Sequence, residues 1–247
     1  MQEEKDALEI RYQAARNEAG KRRVESLVQQ FEDAVAKQSR AVIGRSWEEI
    51  NRLASSEKEL YATFYSLVSA GVRIPNNSQW DQYRGRVDEA LFPYYKQHIR
   101  FAALSLDDKG PINYGACFLI LRSDMIAHRA TVFEENLMLF IKKRNIGLMQ
   151  ELPAGYRALW QDRAKLAVAK LSGSIDSSTT SNDFIHILLK NGTGAGDDEF
   201  VEVHIYGSIS IRTVEKVSII RSEGQKGARF KALQKNLNKY SVALVVN

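Results

Sequence analysis

Glu202, His204 and Tyr206 stand two residues apart in the segment Val201-Glu-Val-His-Ile-Tyr. Side chains alternate across a β-strand. A strand here therefore puts a carboxylate, an imidazole and a phenol on one face, and Val201, Val203 and Ile205 on the other. The apolar set reads as a core face. The polar set is either a solvated strand face or an array able to stabilise positive charge and move a proton. Gly207 follows at once, and a β-branched segment, Val214 to Ile220, comes next, so the spacing predicts an array near a sheet rim.

Other chemistries find little footing. The four histidines, at 98, 128, 186 and 204, show no ligand spacing, and the chain has no His-Glu-x-x-His or Cys-x-x-Cys, so no metal is expected. A Gly-x-Ser-x-Gly nucleophile elbow is absent as well. The single cysteine, Cys117, sits in the apolar run Ala116 to Leu121 and reads as a buried structural thiol. Gly192, Gly194 and Gly196 lack the Lys-Ser/Thr of a phosphate loop, and Asp197, Asp198 and Glu199 would repel phosphate. That stretch reads as a mobile, hairpin-like loop.

The elements that must position these residues change character along the chain. Val24, Leu27, Val28, Phe31 and Val35 recur at helical spacing, and further helices are expected at Trp47 to Leu53 and from Leu60 to Val68, ending at Gly71. The first ~70 residues thus read as all-helical. Pro75-Asn76-Asn77-Ser78 reads as a turn cluster. Strands are expected at Phe101 to Leu106, Cys117 to Leu121 and Ala130 to Phe133. A helix opening at Pro153 follows, then a short helix, 182–190, capped by Ser181. The strands 199–206 and 214–220, a basic helix carrying Phe230, Leu233 and Leu237, and a last strand, 242–246, close the chain. Helices first, then strands interrupted by helices, argue an α+β fold. The expected division is a helical N-terminal region, 1–95, whose apolar stripe docks a partner such as an antitoxin or a second copy, and a strand-rich domain, 96–247.

The chain has 247 residues, 44% of them hydrophobic, enough for a real core. Its longest apolar runs are far too short to span a bilayer, so no membrane partner is expected, and the opening Met-Gln-Glu-Glu-Lys-Asp has no apolar stretch behind it. A cytoplasmic location is the expectation. Net charge is +5, and 212–239 carries eight basic residues against Glu215 and Glu223, a local excess of six. Such a tail is either a solvated helix face or an electrostatic footprint for RNA or DNA.

The segment from Val201 to Ile211, with Val214-Glu-Lys-Val after it, resembles the C-terminal strand pair of bacterial ADP-ribosyltransferase-like toxins and defence effectors. Tyr114-Gly115 ahead of a core strand, with Arg129-Ala-Thr beyond it, is similar to the same family. The resemblance covers roughly 98 to 222. It implies an ADP-ribosyltransferase-like split β-sheet and an NAD-dependent ADP-ribosyl transfer. Glu202 would be the catalytic carboxylate, Arg100 or Arg129 would hold the NAD phosphates, Tyr114 would lie near the nicotinamide, and His204 would contact the cofactor. Phe200 stands where members that modify protein arginine carry a second Glu, which points away from arginine as acceptor. Ser177 to Ser181, where arginine-class members have a Ser-Thr-Ser strand, reads here as loop and cap. With the basic tail beside the Glu202 strand, nucleic acid is the first-choice acceptor and protein the second. The alternative is a non-enzymatic basic module that binds nucleic acid or docks a partner.

Overall fold

The computed structural model describes residues 2–69, 71, 85, 87–89, 91–92, 94–146, 150–194, 196–220 and 227–247. Two helices open the chain, α1 (Gln2–Lys21) and α2 (Glu25–Gln38). The stripe on α2 does what its spacing predicts: Val28, Phe31 and Val35 are fully buried. What they cover lies within the chain itself. Both α1 and α2 pack on a later helix, α7 (Arg163–Leu171), and on the sheet beneath it. The apolar stripe of α2 is thus covered within the chain rather than left open for a partner.

The larger departure comes directly after α2. Ser39 ends that helix in extended conformation, and its Oγ donates to the Val35 carbonyl at 2.5 Å. Arg40–Arg45 then forms strand β1, where helix was expected. Ala41, Val42 and Ile43 are buried, with Val42 and Ile43 β-branched and suited to a pleat closed on both faces. α3 (Trp47–Ser55) follows, capped by Ser46, and then α4 (Phe64–Ser69). The turn cluster at Pro75 to Ser78 lies outside the described residues.

The remaining strands are β2 (Ile99–Ser105), β3 (Cys117–Leu121), β4 (Ala130–Phe133), β5 (Arg157–Leu159), β6 (Leu189–Lys190), β7 (Glu199–Phe200), β8 (Glu202–Tyr206), β9 (Val214–Ile219) and β10 (Ala243–Val246). Between them run α5 (Ser123–Ile126), α6 (Leu137–Arg144), α7, α8 (Phe184–Leu188) and α9 (Ala228–Asn238). Eight strands make one sheet in the order β10-β9-β3-β1-β2-β8-β4-β5, and β6 and β7 form a separate two-stranded ribbon. Neighbours in the large sheet are antiparallel apart from the β9–β10 edge pair.

The α+β class holds, but the sheet is continuous rather than split. The cause is β1. It pairs with β2 on one side and with β3 on the other. Without it, β10-β9-β3 and β2-β8-β4-β5 would be two sheets. A boundary at residue 95 likewise divides nothing, because the strand it would assign to a helical region is central to the sheet.

Two smaller expectations shift. Arg157 to Leu159, read as part of a helix from Pro153, pairs with β4 as an edge strand, and the helix starts only at Arg163. The short helix expected over 182–190 contracts to Phe184–Leu188, where Asp183 rather than Ser181 stands at its N-cap.

The sheet's faces differ. Ala41, Ile43, Leu104, Leu119, Val203 and Ile205 point to the face covered by α1, α2, α3, α7 and α9, which holds the main core. Cys117 belongs to this core, and burial pushes its thiol up to about 11. The other face has smaller apolar patches, one under α6 and one under the β6–β7 ribbon. Gaps between those patches are where the polar side chains of β8 emerge.

Candidate active site

Glu202 does not lie at a rim. Its strand, β8, runs between β2 and β4, and the sheet edges are β10 and β5. Alternation acts as the sequence requires: Val203 and Ile205 enter the main core, while Glu202 and His204 point to the opposite face. That face is covered at this point, so Glu202 is only 7% exposed. A buried carboxylate needs hydrogen bonds. It has two, both on Oε2: the backbone N–H of Leu137 donates at 3.3 Å, and His204 Nε2 lies at 3.1 Å. Leu137 is the first residue of α6, whose free N–H groups and dipole favour negative charge. Oε1 has no hydrogen-bond partner among the described residues and remains for a ligand.

The carboxylate opens into a cleft of about 50 Å³. Val42, Ala103 and Phe101 of the sheet floor it, with Tyr114, Asn136, Met138 and Phe200 around the sides and Arg45 and Asp88 as further charged lining residues. Tyr114 reaches it because β1 has a glycine beneath: a Cβ on Gly44 would stand 3.1 Å from the Tyr114 Cβ. Asn136 joins two walls. Its Oδ1 accepts from the Met138 N–H at 3.0 Å, capping α6, and its Nδ2 donates to the Tyr114 hydroxyl at 3.3 Å. The ribbon wall is pinned at its base, where Asn113 Nδ2 donates to Asp198 at 2.9 Å and the Ile112 N–H to Asn191 at 2.8 Å. The glycine-rich stretch is thus the tip of a hairpin anchored beside Tyr114.

His204 is 2% exposed and enclosed by rings, with centroids of Phe92, Phe101 and Phe133 at 4.9, 5.3 and 6.1 Å. Its Nε2 faces Glu202, which assigns the proton to that nitrogen. Its Nδ1 is buried without a partner. His204 also lines a second, roomier cavity of about 450 Å³, together with Arg129, Arg157, Thr131, Tyr95 and Tyr206.

The five residues singled out in the sequence therefore fall in separate places. Glu202 and Tyr114 line the first cleft; Arg129 and His204 line the second. Arg100 lines neither. It pairs with Ile205 across β2 and β8, on the core side, and its Nη1 donates to the His98 carbonyl at 2.8 Å. Burial, and then the charge of Arg129, hold its pKa below the usual guanidinium value. Arg129 is likewise lowered by burial.

Three residues of these cavities escaped sequence reasoning. Asn136 carried a usable signal, a capping residue directly before the apolar run Leu137 to Ile141. Arg45 had none, because its strand was read as helix, and Arg157 was hidden for the same reason. The basic tail is also placed differently from expectation. β3, β1 and β2 separate β9 from β8, roughly 19 Å at ordinary strand spacing. Leu233 and Leu237 seat α9 on the main core, the face opposite Glu202. Among the described residues, no group of three His, Cys, Asp or Glu could hold a metal, and no helix is long and apolar enough to cross a membrane. No protein-family model and no curated protein matches the chain.

Proposed function

We propose that the Glu202 cleft is an active site for ADP-ribosyl transfer from NAD, with Glu202 as the catalytic carboxylate. One observation carries the reading: Glu202 and Tyr114, far apart in sequence, line the same cleft, with the carboxylate on its floor. In this chemistry the bond between the ribose carbon and the nicotinamide nitrogen breaks, and its electron pair leaves with neutral nicotinamide. The ribose carbon becomes cationic in the transition state, and an acceptor nucleophile adds to it and gives up a proton. Glu202 suits the cationic stage. Leu137 N–H and His204 fix Oε2, so Oε1 is held in place with little reorganisation. Tyr114, steadied by Asn136, supplies an aromatic wall for a planar leaving group. Arg45 lines the cleft from the end of β1, with its guanidinium turned over Tyr61 and toward Glu49, and neither Arg100 nor Arg129 lines it. The reading concerns the donor. Nucleic acid remains the proposed acceptor on sequence grounds, without the nearby basic surface that motivated it.

The test is incubation with labelled NAD and a mixture of cell protein, RNA and DNA. Label in a macromolecule, absent with Glu202→Gln, supports the reading and names the acceptor. Absence of both label transfer and nicotinamide release would overturn it.

A second reading has its own observation. Arg229, Lys231, Lys235 and Lys239 on and just after α9 are all exposed, and α9 carries no acidic residue. This face fits a nucleic-acid backbone, and binding through it would weaken steeply with salt. Salt-insensitive or absent RNA binding would remove that reading.

A further inference from the structure

The second cavity has the makings of a ligand site that the Glu202 chemistry does not use. Two arginines line it, and neither Arg129 nor Arg157 has a carboxylate partner among the described residues. Guanidinium groups without a carboxylate partner in a half-buried pocket lose solvent, a cost that an anion would remove. Arg129 is oriented for the purpose. Its Nε donates to the Met125 carbonyl at 3.1 Å and its Nη1 to the Tyr206 carbonyl at 2.5 Å. Gly207, at φ +85°, makes the turn that lets this side chain pass, since a Cβ there would meet Arg129 Nη1 at 3.2 Å. Nη2 is left for a ligand. Arg157 Nε is buried with no partner at all.

The independent observation is His204. This side chain lines the cavity, is only 2% exposed, and has an Nδ1 that no protein group satisfies. Such an atom is costly unless something polar fills the space beside it. A phosphate monoester answers all three groups. Its oxygens suit the forked guanidinium donors. Its remaining P–OH can donate to Nδ1, or the ring can take up a proton and donate instead. At the mouth stand Tyr206, 53% exposed, and Tyr95, 43% exposed, edge to face with centroids 6.2 Å apart. Their open ring faces suit a planar base.

We propose that this cavity binds a nucleoside phosphate, with the phosphate on Arg129, Arg157 and His204 and the base against Tyr95 and Tyr206. The site stands independently of the chemistry proposed at Glu202.

Arg157 gives the clean test, because it makes no hydrogen bond or ion pair among the described residues that folding would miss. Calorimetric titration of the full chain with adenosine monophosphate and with inorganic phosphate should show saturable binding of both. The nucleotide should bind at least tenfold more tightly. Arg157→Gln should weaken both by tenfold or more with an unchanged melting temperature of the free protein, while Lys5→Gln, exposed on α1, should change neither. No saturable binding, or equal affinity in Arg157→Gln and the unaltered chain, would overturn the proposal. Equal affinity for the two probes would overturn the nucleoside part and leave free phosphate as the ligand.

Discussion

The two cavities on the Glu202 face of the sheet meet at neighbouring positions of β8 and differ in almost everything else. The Glu202 cleft is small, and its central group is an anion whose partners are already in place. The arginine pocket is roomier, and its central groups are two cations without a carboxylate partner among the described residues and an imidazole whose Nδ1 has no protein partner. A satisfied carboxylate is rigid and poised to act on what arrives. Unsatisfied cations are poised to hold an anion. One strand makes both, because Glu202 and His204 lie side by side on β8, each opening to a different side.

The comparison can be broken or sharpened in order of effect. Glu202→Gln keeps the shape of the cleft and removes its charge. NAD turnover should fall by about two to three orders of magnitude, the usual cost of losing a preorganised electrostatic stabiliser. Because Glu202 is buried and bonded rather than facing solvent, a stability loss of about 1 kcal/mol should accompany it. A folded variant with unchanged turnover would remove Glu202 from the chemistry.

His204→Phe touches both cavities at once. The aromatic box accepts a phenyl ring, but Glu202 loses one hydrogen bond and the arginine pocket loses its nitrogen. We expect about a tenfold loss of turnover, equal to ~1.4 kcal/mol, and a loss of phosphate affinity of similar size. Loss in one cavity alone would show that the pair does not couple them.

Gly44→Ala acts on the cleft only. The added Cβ crowds Tyr114 from below, and overpacking of this kind costs about 1–3 kcal/mol. Turnover should fall while phosphate binding stays unchanged. Equal damage to both would mean the two sites are not independent.

Asn136→Ala is the mildest change. It removes the cap of α6 and the bond to Tyr114, for about 1 kcal/mol of stability measured by thermal unfolding. An unchanged melting temperature would show that the cap is not what holds this wall.

The sequence by itself determined which residues share a face. The period-two pattern put Glu202 and His204 together and away from Val203 and Ile205, and the period of α2 marked Val28, Phe31 and Val35 as core. It also settled the α+β class and located β3, β4 and β9 closely. These are local properties: the direction of a side chain within its own element follows from backbone geometry alone. What only the tertiary structure decided is which elements lie next to each other. β1 carries too short a signal, six residues between helices, to announce itself as the strand that closes the sheet. Its insertion made the sheet continuous and put Gly44 beneath Tyr114 in the Glu202 cleft. The pairing of β5 with β4 turned an expected helix into an edge strand and delivered Arg157 to the second pocket. The same long-range pairing put three strands between β9 and β8, although the two are neighbours in sequence. Strand partners are chosen by burial summed over the whole sheet, and no window of the sequence contains that sum.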